Sequence, residues 1–318
     1  MILSTEVLTI FILNAIFLFF GLIAFILSIK IFLNWDINAT NQKQYTLEKQ
    51  SYLTATIIKF IFALKLPLFL FFIFTLDKIS NIITGAMCGA GVVDATPYGT
   101  YLFILKILNL YIFGFWLILH YIDSKSEVLK YTKLKFGLFI IIFLFFISEI
   151  ILETLMFTAI DISKMVDCCG VIYSSNSTSI ISNIFALSNK ILLLIFYGNF
   201  LALILFYYLK NKSFYSMFSL LFIVISLISL ISFFGTYIYE LPTHHCPFCY
   251  LQKDYNYIGY LIYILLFVGT FNGILVGFVN YTKKVNSTFN SSIIFISLFT
   301  LLVSYYPISY YIRNGVWL

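Results

Sequence analysis

Long runs of apolar residues, separated by short polar segments, follow one another from end to end of the chain. A helix needs about 20 consecutive apolar residues to cross the hydrocarbon core of a bilayer, so these runs predict about eight membrane spans. The predicted spans cover residues of about 7–33, 54–76, 100–122, 136–159, 182–209, 216–239, 257–281 and 291–311. The pattern therefore predicts an all-α, polytopic transmembrane helical bundle that forms one integral membrane domain over residues 1–318.

The second span is the most interrupted, because Lys59, Lys65 and Pro67 fall within it. Its first part, from Tyr45, is polar enough to predict a helix on the membrane surface that runs into the span.

Composition excludes a soluble protein, since only 10% of the residues are charged and 62% are hydrophobic. Soluble chains carry roughly 25% charged residues. The formal charge of +6 comes largely from lysines that flank the apolar runs, and no basic patch interleaves with polar recognition residues. The expected partner is thus the lipid bilayer, and nucleic acid is not an expected partner.

The lysines of the connections alternate in density along the chain, which predicts an orientation. Cytoplasmic loops carry an excess of Lys and Arg. The connections after the odd-numbered spans hold Lys43, Lys49, Lys125, Lys130, Lys133, Lys135, Lys210, Lys212, Lys283 and Lys284, whereas those after the even-numbered spans hold Lys78, Lys164 and Lys253. We therefore expect both termini, and the connections after the even-numbered spans, to face outward.

All of the cysteines fall in these predicted outer loops, and none lies in a span. They are Cys88, Cys168, Cys169, Cys246 and Cys249, which account for the 5 cysteines of the chain. The third loop also holds His244 and His245, two of the 3 histidines. Cysteine is a comfortable residue in an apolar core, so its restriction to one face indicates thiol or soft-metal chemistry there.

The stretch Leu241-Pro-Thr-His-His-Cys-Pro-Phe-Cys249 supplies the core of a candidate metal site. Cys246 and Cys249 offer two thiolates to one ion, and His244 or His245 adds an imidazole nitrogen. This set suits Cu(I) or Zn(II). In this interpretation Cys88, Cys168 and Cys169 accept or pass the ion, and a periplasmic metal carrier is the expected protein partner. The leading prediction is a protein that binds, senses or transports a soft transition-metal ion.

The residues leave two alternative functions open. Cys246-Pro-Phe-Cys249 has the spacing of disulfide oxidoreductases, and Cys168 and Cys169 would then form a second thiol pair. Such a membrane enzyme would pass electrons from a periplasmic thiol protein to a quinone. The third candidate is a structural or assembly subunit, in which the cysteines form bridges between loops. The sequence leaves open whether the protein is an enzyme and what its oligomeric state is.

Ionisable residues inside the spans form a second candidate site. Glu149 and Glu153 lie one helical turn apart and so share a face. Lys106 and Lys190 lie in other spans, and Lys65 is placed to join the same set. Charges in the bilayer are costly and usually face a partner or a water-filled cavity. Both a structural ion-pair set and a path for ions or protons remain open.

A stripe of Gly269, Gly273 and Gly277 runs along the seventh span at four-residue spacing. Small residues at this spacing allow close approach of helices. The stripe predicts a packing face within the chain, and homodimerisation through it is the alternative.

Several of these segments also resemble a known group of proteins. Leu241–Cys249, followed by Gln252 and Tyr257-Ile-Gly-Tyr260, is similar to a loop of uncharacterised bacterial multi-spanning inner-membrane proteins. Gly85-Ala-Met-Cys-Gly-Ala-Gly91 and Asp167-Cys-Cys-Gly170 resemble further segments of the same group. The resemblance covers most of the chain and implies a bacterial inner membrane and an eight-helix architecture, but it implies no activity. With the predicted orientation, the cysteine loops would face the periplasm.

Overall fold

The structure is a computed structural model that describes residues 4–37, 39, 41–126, 129–162, 165–166, 188–278 and 282–318, without the side chains of 282–285. These residues contain 8 helices long and apolar enough to cross a membrane. The prediction of an all-α, polytopic membrane bundle is thereby confirmed. The chain divides into two compact units, Met1–Val166 and Asp167–Leu318. That residues 1–318 form a single domain stays a prediction.

The first unit is built from four long helices and one short one. Its elements are α1 (Thr5–Asn34), α2 (Gln42–Ser80), α3 (Gly89–Asp94), α4 (Gly99–Ser124) and α5 (Thr132–Ala159). The long helices pack in a ring in the order α1, α2, α4, α5. Each of the four long helices contains one predicted span.

Helix α2 extends well beyond the span that the sequence predicts. It runs over 39 residues with Pro67 inside it, which corresponds to about 58 Å at ~1.5 Å per residue. A hydrocarbon core is about 30 Å thick. The predicted polar helix from Tyr45 is therefore the first part of this same helix, which continues outside the hydrocarbon.

An aromatic cluster fills the centre of the first unit. The rings of Phe62 and Phe113 stack with centroids 4.3 Å apart, and Trp116 meets Phe62 edge-on at 5.4 Å. Phe139 and Phe143 on α5 complete the layer, and all five side chains are buried. Buried aromatic side chains bring large contact areas with defined geometry, so this layer fixes how α2, α4 and α5 meet.

A buried ion pair closes the turn between α4 and α5. Asp123 Oδ2 accepts hydrogen bonds from Lys135 Nζ at 2.6 Å and from Thr132 Oγ1 at 2.7 Å. Its Oδ1 accepts one from the backbone N–H of Tyr131 at 2.8 Å. A carboxylate with this many donors satisfies the turn internally. Lys135, which the sequence places among surface lysines, is therefore a buried structural residue.

The second unit consists of α6 (Asn189–Tyr208), α7 (Lys212–Ser229), α8 (Gly235–Tyr239), α9 (Ile258–Phe278) and α10 (Thr282–Asn314). A π-helical turn at Leu230–Phe234 joins α7 to α8, and the three segments together make one span. The described helices pack in a ring in the order α6, α7, α9, α10. The first residues of the predicted span 182–209 lie outside the described residues.

The glycine stripe of α9 packs against other helices of its own unit. A Cβ added at Gly269 would lie 2.8 Å from Ile296 Cγ1, and one at Gly273 would lie 2.2 Å from Ser219 Oγ. Side chains larger than hydrogen do not fit at these distances. The stripe is therefore a packing face within the chain.

Candidate functional site

The histidine–cysteine loop is held at both ends by residues with left-handed backbone conformation. Glu240 ends α8 with a φ of 54°, and Asn256 and Tyr257 precede α9 with φ values of 53° and 56°. Non-glycine residues adopt this region only where the surrounding structure enforces it, at a cost of about 1–3 kcal/mol each. The loop therefore has a specified conformation.

Cys246 and Cys249 form a buried dithiol in this loop. Their side chains are 1% and 6% exposed, and their Sγ atoms lie within 4.8 Å of one another. The backbone N–H of Phe248 donates a hydrogen bond to Cys246 Sγ at 3.4 Å. Cys249 begins a 3₁₀ turn that ends at Leu251. The Cys-x-x-Cys spacing thus brings the two sulfurs close together.

Tyrosine hydroxyl groups fix the backbone around the dithiol. The hydroxyl of Tyr239 donates to the carbonyl of Cys246 and accepts a hydrogen bond from the N–H of Tyr250 at 3.2 Å. Tyr263 donates to the carbonyl of Pro247 at 2.9 Å, and its oxygen lies 2.6 Å from that of Tyr250. Burial raises the pKa of Tyr250 well above its usual range, so this phenol stays protonated. Sequence analysis missed these residues, although their density around the loop was visible.

The two histidines flank the dithiol with different contacts. Nδ1 of His245 lies 3.0 Å from the carbonyl oxygen of Ile231, which belongs to the π-helical turn. A carbonyl only accepts hydrogen bonds, so Nδ1 carries a proton and donates in this contact. The ring of His244 packs edge-on against Tyr239 with centroids 4.3 Å apart. π-helical turns occur frequently at functional sites, and here the turn supplies the acceptor that sets the tautomer of His245.

The remaining cysteines divide between the first unit and the part of the chain outside the described residues. Cys88 is fully buried and immediately precedes α3. Burial, and then the charge of Cys88, raises the pKa of Asp94 to about 6, and Asp94 Oδ2 is a buried atom without a hydrogen-bond partner. Cys168 and Cys169 lie outside the described residues. The roles predicted for these three cysteines stay predictions.

The charges inside the spans of the first unit form a closed ring of ion pairs and hydrogen bonds. Lys106 Nζ lies 2.9 Å from Glu149 Oε1 and 2.9 Å from Glu153 Oε1. Lys65 Nζ lies 3.1 Å from the same oxygen of Glu149 and donates to Asn14 Oδ1 at 2.9 Å. Asn14 Nδ2 in turn donates to Glu153 Oε2 at 2.7 Å, which closes the ring.

Asn109 adds a further donor: its Nδ2 donates a hydrogen bond to Glu149 Oε2 at 2.6 Å. Both glutamates thus pair with Lys106, and Glu149 also pairs with Lys65. Lys190, at the second residue of α6, is exposed, unlike the buried lysines of the ring. The two asparagines were missed, although an amide inside an apolar run is itself a signal of a buried polar contact.

Comparisons with other proteins return no similarity: no protein-family model matches the chain, and no curated protein or solved structure matches it. The chemistry of the chain is therefore described by its own side chains. Among the described residues, the second unit contains a buried dithiol in the same loop as His245, and the first unit contains a neutral ring of two lysines and two glutamates.

Proposed function

We propose that this integral membrane protein binds a soft transition-metal ion, Cu(I) or Zn(II), through Cys246 and Cys249. The observation that carries the proposal is the pair of buried thiols with Sγ atoms within 4.8 Å. Apolar burial disfavours a thiolate unless a positive charge offsets it, and a coordinated metal ion deprotonates a thiol outright. One ion between the two sulfurs satisfies both groups at once.

The contacts of His245 suit it to be the third ligand. Metal-bound histidines almost always donate their other ring N–H to a carbonyl or carboxylate, which fixes the tautomer. His245 Nδ1 has such a partner in the carbonyl of Ile231 at 3.0 Å. The Nε2 lone pair is then available for the ion. His244, packed against Tyr239, is the alternative imidazole.

The proposal also covers the side of the membrane that the loop faces and the transfer of the ion. The lysine distribution supports an outward, periplasmic orientation of the loop, and the resemblance to bacterial inner-membrane proteins supports that membrane. In this proposal the protein senses or transports the ion, receives it from a periplasmic carrier, and uses Cys88, Cys168 and Cys169 to accept or pass it.

Metal content of the purified, reduced protein tests the binding step. We expect about one Cu(I) or Zn(II) per chain by elemental analysis, as one tetrahedral or lower-coordinate site predicts. Cys246→Ser should abolish binding, and His244→Ala/His245→Ala should remove most of the metal. His120→Ala is the matched control, because this third histidine stacks on Trp116 in the first unit, and it should leave metal content unchanged. Wild-type protein that takes up neither ion would contradict the proposal.

The second candidate is a quinone-linked thiol–disulfide oxidoreductase. It is favoured by the Cys-x-x-Cys spacing, which places the two buried Sγ atoms within 4.8 Å of one another. Oxidation of both thiols to one disulfide would deliver two electrons and two protons to a quinone. In this case His244→Ala/His245→Ala changes the rate, while the pair still cycles. A metal-free protein whose dithiol is reoxidised by added quinone would replace the metal proposal with this one.

A further inference from the structure

The buried charge ring of the first unit borders a small internal cavity. The cavity has a volume of about 30 Å³, and Asn14, Lys65, Lys106, Asn109, Glu149 and Glu153 are among the residues that line it. A water needs a cavity of at least about 10–15 Å³, so this cavity is large enough to hold water. These polar residues belong to four helices that are each long and apolar enough to cross a membrane, and we place the cavity in the membrane-spanning part of the bundle on that basis.

One lining atom has an unused hydrogen-bonding capacity. Asn109 is 1% exposed, and its Oδ1 is buried without a hydrogen-bond partner. Its Nδ2 is bound to Glu149 Oε2 at 2.6 Å, so the amide orientation is set by that bond. An unsatisfied buried acceptor costs about 1–3 kcal/mol. A donor in the cavity, either water or an acidic proton, would satisfy it.

The two glutamates of the ring are not equivalent. Glu149 pairs with both lysines and also accepts from Asn109. Glu153 pairs with Lys106 alone and accepts from Asn14. If Glu149 lost its charge, Lys65 would keep no carboxylate. If Glu153 lost its charge, Lys106 would keep Glu149 at 2.9 Å and Lys65 would be unaffected.

We infer that Glu153 is a proton-binding group inside the membrane, supplied through water in this cavity. A hydronium ion transfers its proton to the Glu153 carboxylate and becomes water. The resulting O–H donates, through a cavity water, to Asn109 Oδ1. The ring then changes from two cations and two anions to two cations and one anion, and Glu149 remains ionised between the lysines.

The charges that face Glu153 come from every helix of the ring except α1. Helix α2 contributes Lys65, α4 contributes Lys106, and α5 contributes Glu149, while α1 contributes the neutral Asn14. A fully compensated set of this kind gains little stability over apolar side chains of the same size. Ionisable residues within spans are functional candidates for that reason, and reversible protonation is the function that this asymmetry permits.

Infrared difference spectroscopy of the full-length protein tests the inference. On acidification within the range where the protein stays folded, we expect a carboxylic-acid C=O band that shifts on ¹³C-labelling of glutamate. The exposed glutamates Glu48 and Glu240 contribute to the same band, so Glu153→Gln should reduce its intensity by the share of one glutamic acid. If this variant fails to fold, hydrogen–deuterium exchange of the buried glutamic-acid O–H in labelled protein provides a second measurement. Leu110 lines the cavity, so a cavity-filling Leu110→Phe variant should slow this exchange severalfold.

Leu108→Phe is the matched control for the cavity, since Leu108 lies two residues away on α4 and is 44% exposed. It should leave the exchange rate unchanged. A static ion-pair set would give wild type and Glu153→Gln the same glutamic-acid band, and this result overturns the inference. An exchange rate that Leu110→Phe leaves unchanged overturns it as well.

Discussion

Replacing Lys106 by methionine separates the electrostatic role of the buried ring from its packing. Methionine keeps the unbranched shape of the lysine stem but removes the ammonium group that lies 2.9 Å from both Glu149 and Glu153. Glu149 keeps Lys65 at 3.1 Å and Asn109 at 2.6 Å. Glu153 keeps only the hydrogen bond from Asn14 at 2.7 Å. The variant therefore leaves one buried carboxylate without a cation.

The expected cost follows from that one carboxylate. Removing one partner of a buried ion pair destabilises a protein by about 3–5 kcal/mol, and an unpaired charge at the centre of a membrane helix costs at least about 2.5 kcal/mol. Because Glu149 remains paired, we expect Lys106→Met to cost about 3 kcal/mol. Adding Glu153→Gln leaves the neutral pair of Lys65 and Glu149, so the double variant should recover about 2 kcal/mol, within the range of coupling energies for residues in contact.

Unfolding in mixed detergent gives both free energies of unfolding. Lys190→Met is the matched control, because Lys190 is exposed, and it should change stability by less than about 0.5 kcal/mol. A cost for Lys106→Met as small as that of the control would refute the ion-pair reasoning. So would a double variant whose loss equals the sum of the two single losses.

Two further predictions concern the loops. The first uses single-cysteine variants on a background without native cysteines. Met87→Cys and Leu241→Cys, at exposed positions, should react with a membrane-impermeant maleimide on intact spheroplasts, whereas Lys130→Cys should react only after the membrane is broken. The opposite pattern would reverse the proposed orientation. Because burial raises the pKa of Asp94 from 3.8 to about 6, its contribution to stability is fully present below about pH 3.8 and is lost as the pH rises through about 6. Asp94→Asn should therefore melt at a higher temperature than wild type at pH 7, and its melting temperature should change less between pH 4 and 6. Identical melting profiles for the two proteins would contradict the raised pKa of Asp94.

The sequence by itself determined the membrane spans and the chemistry of the loop. Apolar runs of about 20 residues have one stable arrangement in a bilayer, because only a helix satisfies every backbone group within its own segment. Cys246 and Cys249 are three residues apart, so chain connectivity alone keeps their sulfurs close. Glu149 and Glu153 share a face for the same local reason, since four residues make about one helical turn.

Only the tertiary structure decided which helix each of these faces meets. Asn14 reaches Glu153 across 139 residues of sequence, and Lys65 reaches Glu149 across 84. In the loop, His245 finds its acceptor in a π-helical turn 14 residues earlier, which no apolar pattern predicts. Helical periodicity specifies the direction in which a side chain leaves its own helix, but the neighbour in that direction depends on the packing of all four helices of a unit. The partners of buried charges are therefore fixed by that packing, because in hydrocarbon each charge must find its counter-charge within the fold.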